Sequence, residues 1–161
     1  MSTYSDIIAA IKARVDTVSN VGSTHAYNRW NADWSTYHNQ FKVTIGGVSQ
    51  IRGWVVTMDE SNPIAGEPYS LGSTKRTYNV LIYGILDLKD TSNTEDTFLS
   101  LVESVMNALD GRTDLGLSVV IDFDVGPCSL RRYDSRQFGS VLCHYCEIII
   151  PVGVEVAVTY A

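Results

Sequence analysis

The sequence predicts an α+β domain, a mostly antiparallel sheet with two main helices packed against it. Three observations carry that expectation. Apolar residues recur at helical spacing in two separated segments, one around Ile8 and one around Val102. Between and after them the apolar period falls to two, as in strands, which turn their side chains to alternate faces. Turn-forming pairs such as Gly46-Gly47 and Gly126-Pro127 then divide the strand-like runs.

Taken in order, residues 5–22 place Ile7, Ile8, Ile11, Val15 and Val18 on one helical stripe, with Asp6 near the start and Gly22 at the end. Lys12, Arg14 and Asp16 make the other face polar, so this helix should lie on a sheet. Next, Tyr27, Trp30, Trp34, Tyr37 and Phe41 follow at steps of three and four, a second helical stripe. It has two readings: a short helix whose rings fill the core, or one that turns Trp30 and Trp34 toward another subunit. Residues 40–58 read as a hairpin around Gly46-Gly47. Residues 59–74 hold two prolines and two glycines without periodicity and read as a long loop, the candidate assembly element, carrying Asp59, Glu60, Glu67 and Tyr69.

The segment 75–88 is apolar on both parities and is expected at the centre of the sheet. Ser92 and Glu95 fit a capping box ahead of Phe98, Leu101, Val102, Val105, Met106 and Leu109, a helix expected to stop at Gly111. Strands are expected over 117–123, 129–133, 141–150 and 153–160, separated by Gly126-Pro127, residues 135–139 and Pro151. No repeat or linker divides the chain, so 1–161 reads as a single domain.

Composition narrows the function. The 161 residues are 45% hydrophobic, enough for a core without staples. Twelve Lys and Arg against 18 Asp and Glu give a net charge of −6, which argues against binding nucleic acid through its phosphates. The longest apolar run, 148–154, falls well short of the ~18–20 residues of a membrane span, and no signal peptide is readable, so a cytoplasmic site of action is expected. Cys128, Cys143 and Cys146 read as reduced, mostly buried thiols.

Few residues suggest catalysis. There is no phosphate-binding glycine loop, nucleophile elbow or His-Glu-x-x-His motif. Cys143-His144-Tyr145-Cys146 has the spacing of a zinc half-site. Its second pair is missing, and a strand would point the two thiols to opposite faces. Asp122 and Asp124 share one strand parity as paired carboxylates would, but have no evident partners and read as a solvated strand end. His25 and His38 fall in segments assigned to different local structure. Arg131, Arg132 and Arg136, with Asp134 among them, form the basic cluster. They are either a solvated hairpin or inter-subunit partners of Asp59, Glu60 and Glu67. No catalytic, cofactor-binding or metal-binding residue is therefore expected.

Several separated stretches together resemble one family. They are Thr24-His25-Ala26-Tyr27-Asn28-Arg29-Trp30, then Ile51-Arg52-Gly53-Trp54-Val55-Val56-Thr57, then Val105-Met106-Asn107-Ala108-Leu109-Asp110 with Leu115-Gly116 after it. In order, length and spacing they resemble tail terminator (tail completion) proteins of tailed bacteriophages. That resemblance implies an α+β fold, a homohexameric ring that caps the tail tube, and a surface for a neck or head-completion protein. It implies a virion protein assembled in the host cytoplasm, with DNA passing through the lumen unbound. The alternatives are another neck component, a stopper or adaptor, and a small cytoplasmic ligand-binding or enzymatic domain.

Overall fold

A computed structural model describes residues 3–110 and 115–157, the side chains at 90 and 121–123 excepted. The order is α1 (Thr3–Val15), β1 (Ser23–His25), α2 (Trp34–Asn39), β2 (Lys42–Ile45), β3 (Val48–Met58), β4 (Ile64–Ser70), β5 (Ser73–Asp87), a 3-10 turn (Asp90–Ser92), α3 (Thr94–Leu109), β6 (Val120–Val125), β7 (Ser129–Phe138) and β8 (Val141–Ala157). The strands form one sheet in the order β1-β3-β5-β8-β6, with β2 beside β3, β4 beside β5 and β7 beside β8. Among the described residues, β1 pairs with β3 in parallel and the other pairs are antiparallel. The chain is thus α+β with a mostly antiparallel sheet and two main helices, as the apolar periods predict.

Both main helices cover one face. α1 buries Ile7, Ile8, Ile11 and Val15, and α3 buries Phe98, Leu101, Val102, Val105 and Leu109. Beneath them lie Trp54 and Val56 of β3, Val80, Ile82 and Leu86 of β5, and Cys146, Ile148, Ile150, Val152 and Val154 of β8. Alternation along each strand sends the intervening residues to the second face. There a smaller cluster of Tyr37, Phe41, Val55, Ile85, Cys143 and Tyr145 packs under α2.

Trp54 organises the larger core. It is fully buried, its Nε1 donates to the Val21 carbonyl at 3.1 Å, and its ring stacks on Phe98 at 6.0 Å. The ring lies over Gly84, directly opposite in the β3–β5 ladder, where an added Cβ would sit 2.6 Å from Trp54 Cζ3. A ring atom that close has no free path aside, so Gly84→Ala is expected to destabilise by about 1–3 kcal/mol, read as a lower urea midpoint.

Several expected boundaries are corrected. The 59–74 segment is not a long loop: Ile64–Ser70 forms β4, paired with β5 from Ile64↔Tyr78 to Ser70↔Ser73. Polar, glycine-containing composition hid the strand, because an edge strand needs no apolar face. The aromatic stripe is not one helix. Asn31 and Asp33 hold a turn through Asn31 Oδ1 and the Asp33 N–H, so α2 starts only at Trp34, with Asp33 Oδ2 capping the Thr36 N–H at 2.8 Å. The capping box does not form either. Asn93, at φ 46°, shifts the start of α3 past Ser92, which lies in the 3-10 turn, while Thr94 Oγ1 accepts from the Lys89 N–H. The end expected at Gly111 lies outside the described residues; α3 ends at Leu109.

Pro151 does not divide the last strand. β8 runs through it for 17 residues, with Pro151 opposite Asn79 in β5 and its carbonyl accepting from the Gly126 N–H at 2.8 Å. The turn expected over 135–139 sits one step later, at Gly139-Ser140, so β7 extends to Phe138. β5 lies at the centre of the sheet, as its two apolar parities require.

Candidate functional site

Three surface features stand apart from the core: a hairpin arm, a network of charges on the second face, and a groove beside α2. The arm is built by β4 and the first half of β5. All seven residues of β4 are exposed, and Leu71 at the tip is fully exposed, followed by Gly72 at φ 84°. Tyr69 and Ile64 are each about half exposed. Glu67 reaches Lys75 Nζ at 3.3 Å, but Asp124 holds the same ammonium more closely, at 2.8 Å. Asp122, the other member of the sequence pair, has its side chain outside the described set.

The arginine cluster does not offer free cations to a neighbour. Arg131 Nη1 contacts both oxygens of Asp59 at 3.0 Å, and its Nη2 lies 2.9 Å from Glu147 Oε2, all within one chain. Ser61 adds its hydroxyl to Asp59 Oδ1 at 2.8 Å, and Tyr145 donates to Glu147 Oε1 at 2.8 Å. Arg136 lies over the Tyr145 ring, 3.7 Å from its centroid, and pairs with Asp134, as Arg132 does. Asp59 is therefore a buried partner of Arg131, not a loop acid awaiting another subunit. Burial alone would raise its carboxyl, but hydrogen bonds from Arg131 and Ser61 outweigh that and hold it below the ordinary range. Of the proposed acidic partners, Glu60 alone is exposed with no ion pair among the described residues.

The aromatic stripe divides between core and surface. Tyr37 and Phe41 are buried, whereas Trp30 is 80% exposed and Trp34 49%. The exposed part lines a groove of about 470 Å³ formed by Arg29, Trp30, Ala32, Trp34, Tyr37 and Phe138. Arg29 lies against Tyr27, with its guanidinium 5.1 Å from the ring and its Nε donating to Gln40 Oε1 at 2.9 Å. Across Trp34 a second, more polar cleft of about 530 Å³ includes His38, Lys42, Gln50 and Asp87. Asp87 pairs with Lys89 through Oδ2, and its buried Oδ1 has no hydrogen-bond partner among the described residues.

The remaining candidates have structural surroundings. His25 Nε2 lies 3.0 Å from the Gln40 carbonyl and His38 Nε2 donates to the Phe138 carbonyl at 2.7 Å; burial lowers the His25 pKa. Cys143 sits in the smaller cluster and Cys146 in the larger one, on opposite faces of β8. Burial pushes both thiols, and that of Cys128, up to about 12. His144 between them contacts Thr94 Oγ1 at 3.0 Å and stacks on Phe98. Leu71, Phe138, Asp87 and Glu147 were not anticipated. Leu71 alone carried a signal, as an apolar residue beside Gly72 in a polar stretch.

Among the described residues, no helix is long and apolar enough to cross a membrane. No protein-family model matches the chain, and no curated protein matches it.

Proposed function

We propose that this protein is a virion structural protein of a tailed bacteriophage, a tail terminator. It would form a homohexameric ring that caps the tail tube and joins it to the neck. The single observation that supports this best is the arm. All seven residues of β4 are exposed, and Pro68 with the bulge between Pro68 and Ser70 hinders further strand pairing there, so what the arm offers a neighbour is its tip, with Leu71 fully exposed beside the half-exposed Tyr69. It falls in the segment the sequence marks as the assembly element, and the ordered stretches that resemble the family flank it. Charge fits the role as well: six copies at −6 gather 6 × −6 = −36, a ring that phosphates would pass without sticking.

The test is the mass of the purified full chain in solution, alone and mixed with its tail tube protein, together with particle images. A hexameric ring, formed alone or on the tube, is expected. A strict monomer under both conditions overturns the reading. A second reading, a small ligand-binding α+β domain, rests on the cleft beside α2, lined by His38, Lys42, Gln50 and Asp87. That reading expects the strict monomer.

A further inference from the structure

The arm and the aromatic groove lie at opposite ends of one strand. At the tip, Ser73 pairs with Ala157, the last residue of β8; at the groove, Phe138 pairs with Val141, the first. Seventeen residues at ~3.3 Å each separate the two ends by ~50 Å, so tip and groove cannot meet within one molecule. They nevertheless complement each other. The tip offers two exposed apolar side chains, Leu71 and Tyr69, and the groove offers Trp30, Trp34 and Phe138 around about 470 Å³, within the ~300–1,000 Å³ range of pockets that enclose a ligand group.

Charge points the same way. Arg29 on the groove wall has no carboxylate partner among the described residues. Glu67 of the arm is 62% exposed and shares its lysine with the nearer Asp124. Glu67 pairs with Lys75 across the β4–β5 ladder, which places it on the second face of the sheet, the one α2 covers. An arm approaching the groove would therefore bring an acid that shares its lysine toward a guanidinium held only by the neutral Gln40 and Tyr27 among the described residues.

We propose that the occupant of the groove is a second copy of this chain: Leu71 and Tyr69 of one molecule seat between Trp30 and Trp34 of the next, with Glu67 facing Arg29. The contact is heterologous, head to tail, so every molecule keeps one free tip and one free groove until a ring closes. A standard interface buries ~800 Å² per partner, more than a hairpin tip supplies, so this contact is the anchor of a wider one. The proposal deepens the self-assembly in the reading above and rests on it.

Two surface variants of the full chain test it. Leu71→Asp spoils the tip and spares the groove; Trp30→Asp does the reverse. Both positions are exposed, and circular dichroism checks that each variant folds. In sedimentation velocity each variant alone should associate at least about tenfold more weakly than wild type. Their equimolar mixture should give dimers and nothing larger, because only one working tip and one working groove remain. Association of Leu71→Asp at the wild-type level would overturn the proposal.

Cross-linking covers the case in which rings form only on the tube. Leu71→Cys mixed with Ala32→Cys should yield an oxidised heterodimer, with Cys128, Cys143 and Cys146 silent because they are buried. No heterodimer at high concentration, or a cross-link between two Leu71→Cys copies instead, also overturns it. Closed hexamers that ignore both surface variants would leave the terminator reading standing and the tip-in-groove contact rejected. A cross-linked pair that builds only open chains, even with tube protein, would do the opposite.

Discussion

Replacing Trp54 with alanine should lower stability by about 3–5 kcal/mol, seen as a large drop in the urea midpoint with little change in slope. The indole is fully buried between α3 and the centre of the sheet, and its removal leaves a cavity against Phe98. It also strips the Val21 carbonyl of the Nε1 donor that tethers the segment after α1. Phenylalanine at the same place would fill part of the space and lose the hydrogen bond, so a smaller loss is expected. The sharper check uses Gly84. Alanine there is costly because the indole occupies its Cβ position, and that conflict vanishes once the indole is gone. The double variant Trp54→Ala/Gly84→Ala should therefore be more stable than the sum of the singles by about 1–2 kcal/mol. Strict additivity would mean that the contact is not what makes Gly84 necessary.

Replacing Arg131 with methionine is the next largest effect, about 2 kcal/mol at neutral pH. Breaking a buried ion pair costs ~3–5 kcal/mol; the figure is reduced here because the guanidinium is 38% exposed and water can partly replace it. The loss comes from leaving two carboxylates, Asp59 and Glu147, in a site with little water. In the wild-type protein the Asp59 carboxyl is held below its ordinary range, so its contribution is complete above the unfolded value of ~4 and is lost as the pH falls toward the folded one. Without Arg131, burial is opposed only by the two Ser61 hydrogen bonds, so the folded value rises toward the unfolded one. The variant therefore loses less than the wild type on acidification, because a smaller part of its stability depends on Asp59 being ionised. The difference between variant and wild type should be largest near pH 7 and shrink below about pH 4. Denaturation at both pH values measures it, and a difference independent of pH would remove Asp59 from the explanation.

The periods of the sequence revealed whatever had an inside. Ile7 to Val15, Phe98 to Leu109 and the two apolar parities of β5 each bury a definable face, so helix, helix and central strand were legible. β4 was not, because Ile64 to Ser70 bury nothing: its pairing with β5 is made by the backbone, which every residue shares. Pro151 misled for a related reason. A proline usually ends a ladder, yet β8 continues through it between two neighbouring strands.

At the surface, the sequence singled out segments but not the contacts their residues make within the chain. Trp30 and Trp34 were legible as interface candidates through residue type, and both line the groove. Arg131, Arg132 and Arg136 were legible as a basic cluster. That Arg131 of β7 is bound to Asp59, 72 positions away just past β3, follows from the way the sheet brings distant strands together, which no local pattern encodes.

The continuity of β8 has a mechanical consequence. It is hydrogen-bonded to β5 on one side along its whole length and to β7 and then β6 on the other. A force that draws the two ends of the molecule apart runs along these strands and loads their ladders in shear, so many hydrogen bonds must slide together before any part yields. A force across the sheet at β4 meets, among the described residues, a single ladder to β5 and can peel it bond by bond. The molecule is stiff along one axis and weak along another, and the direction of a load decides which part gives way first.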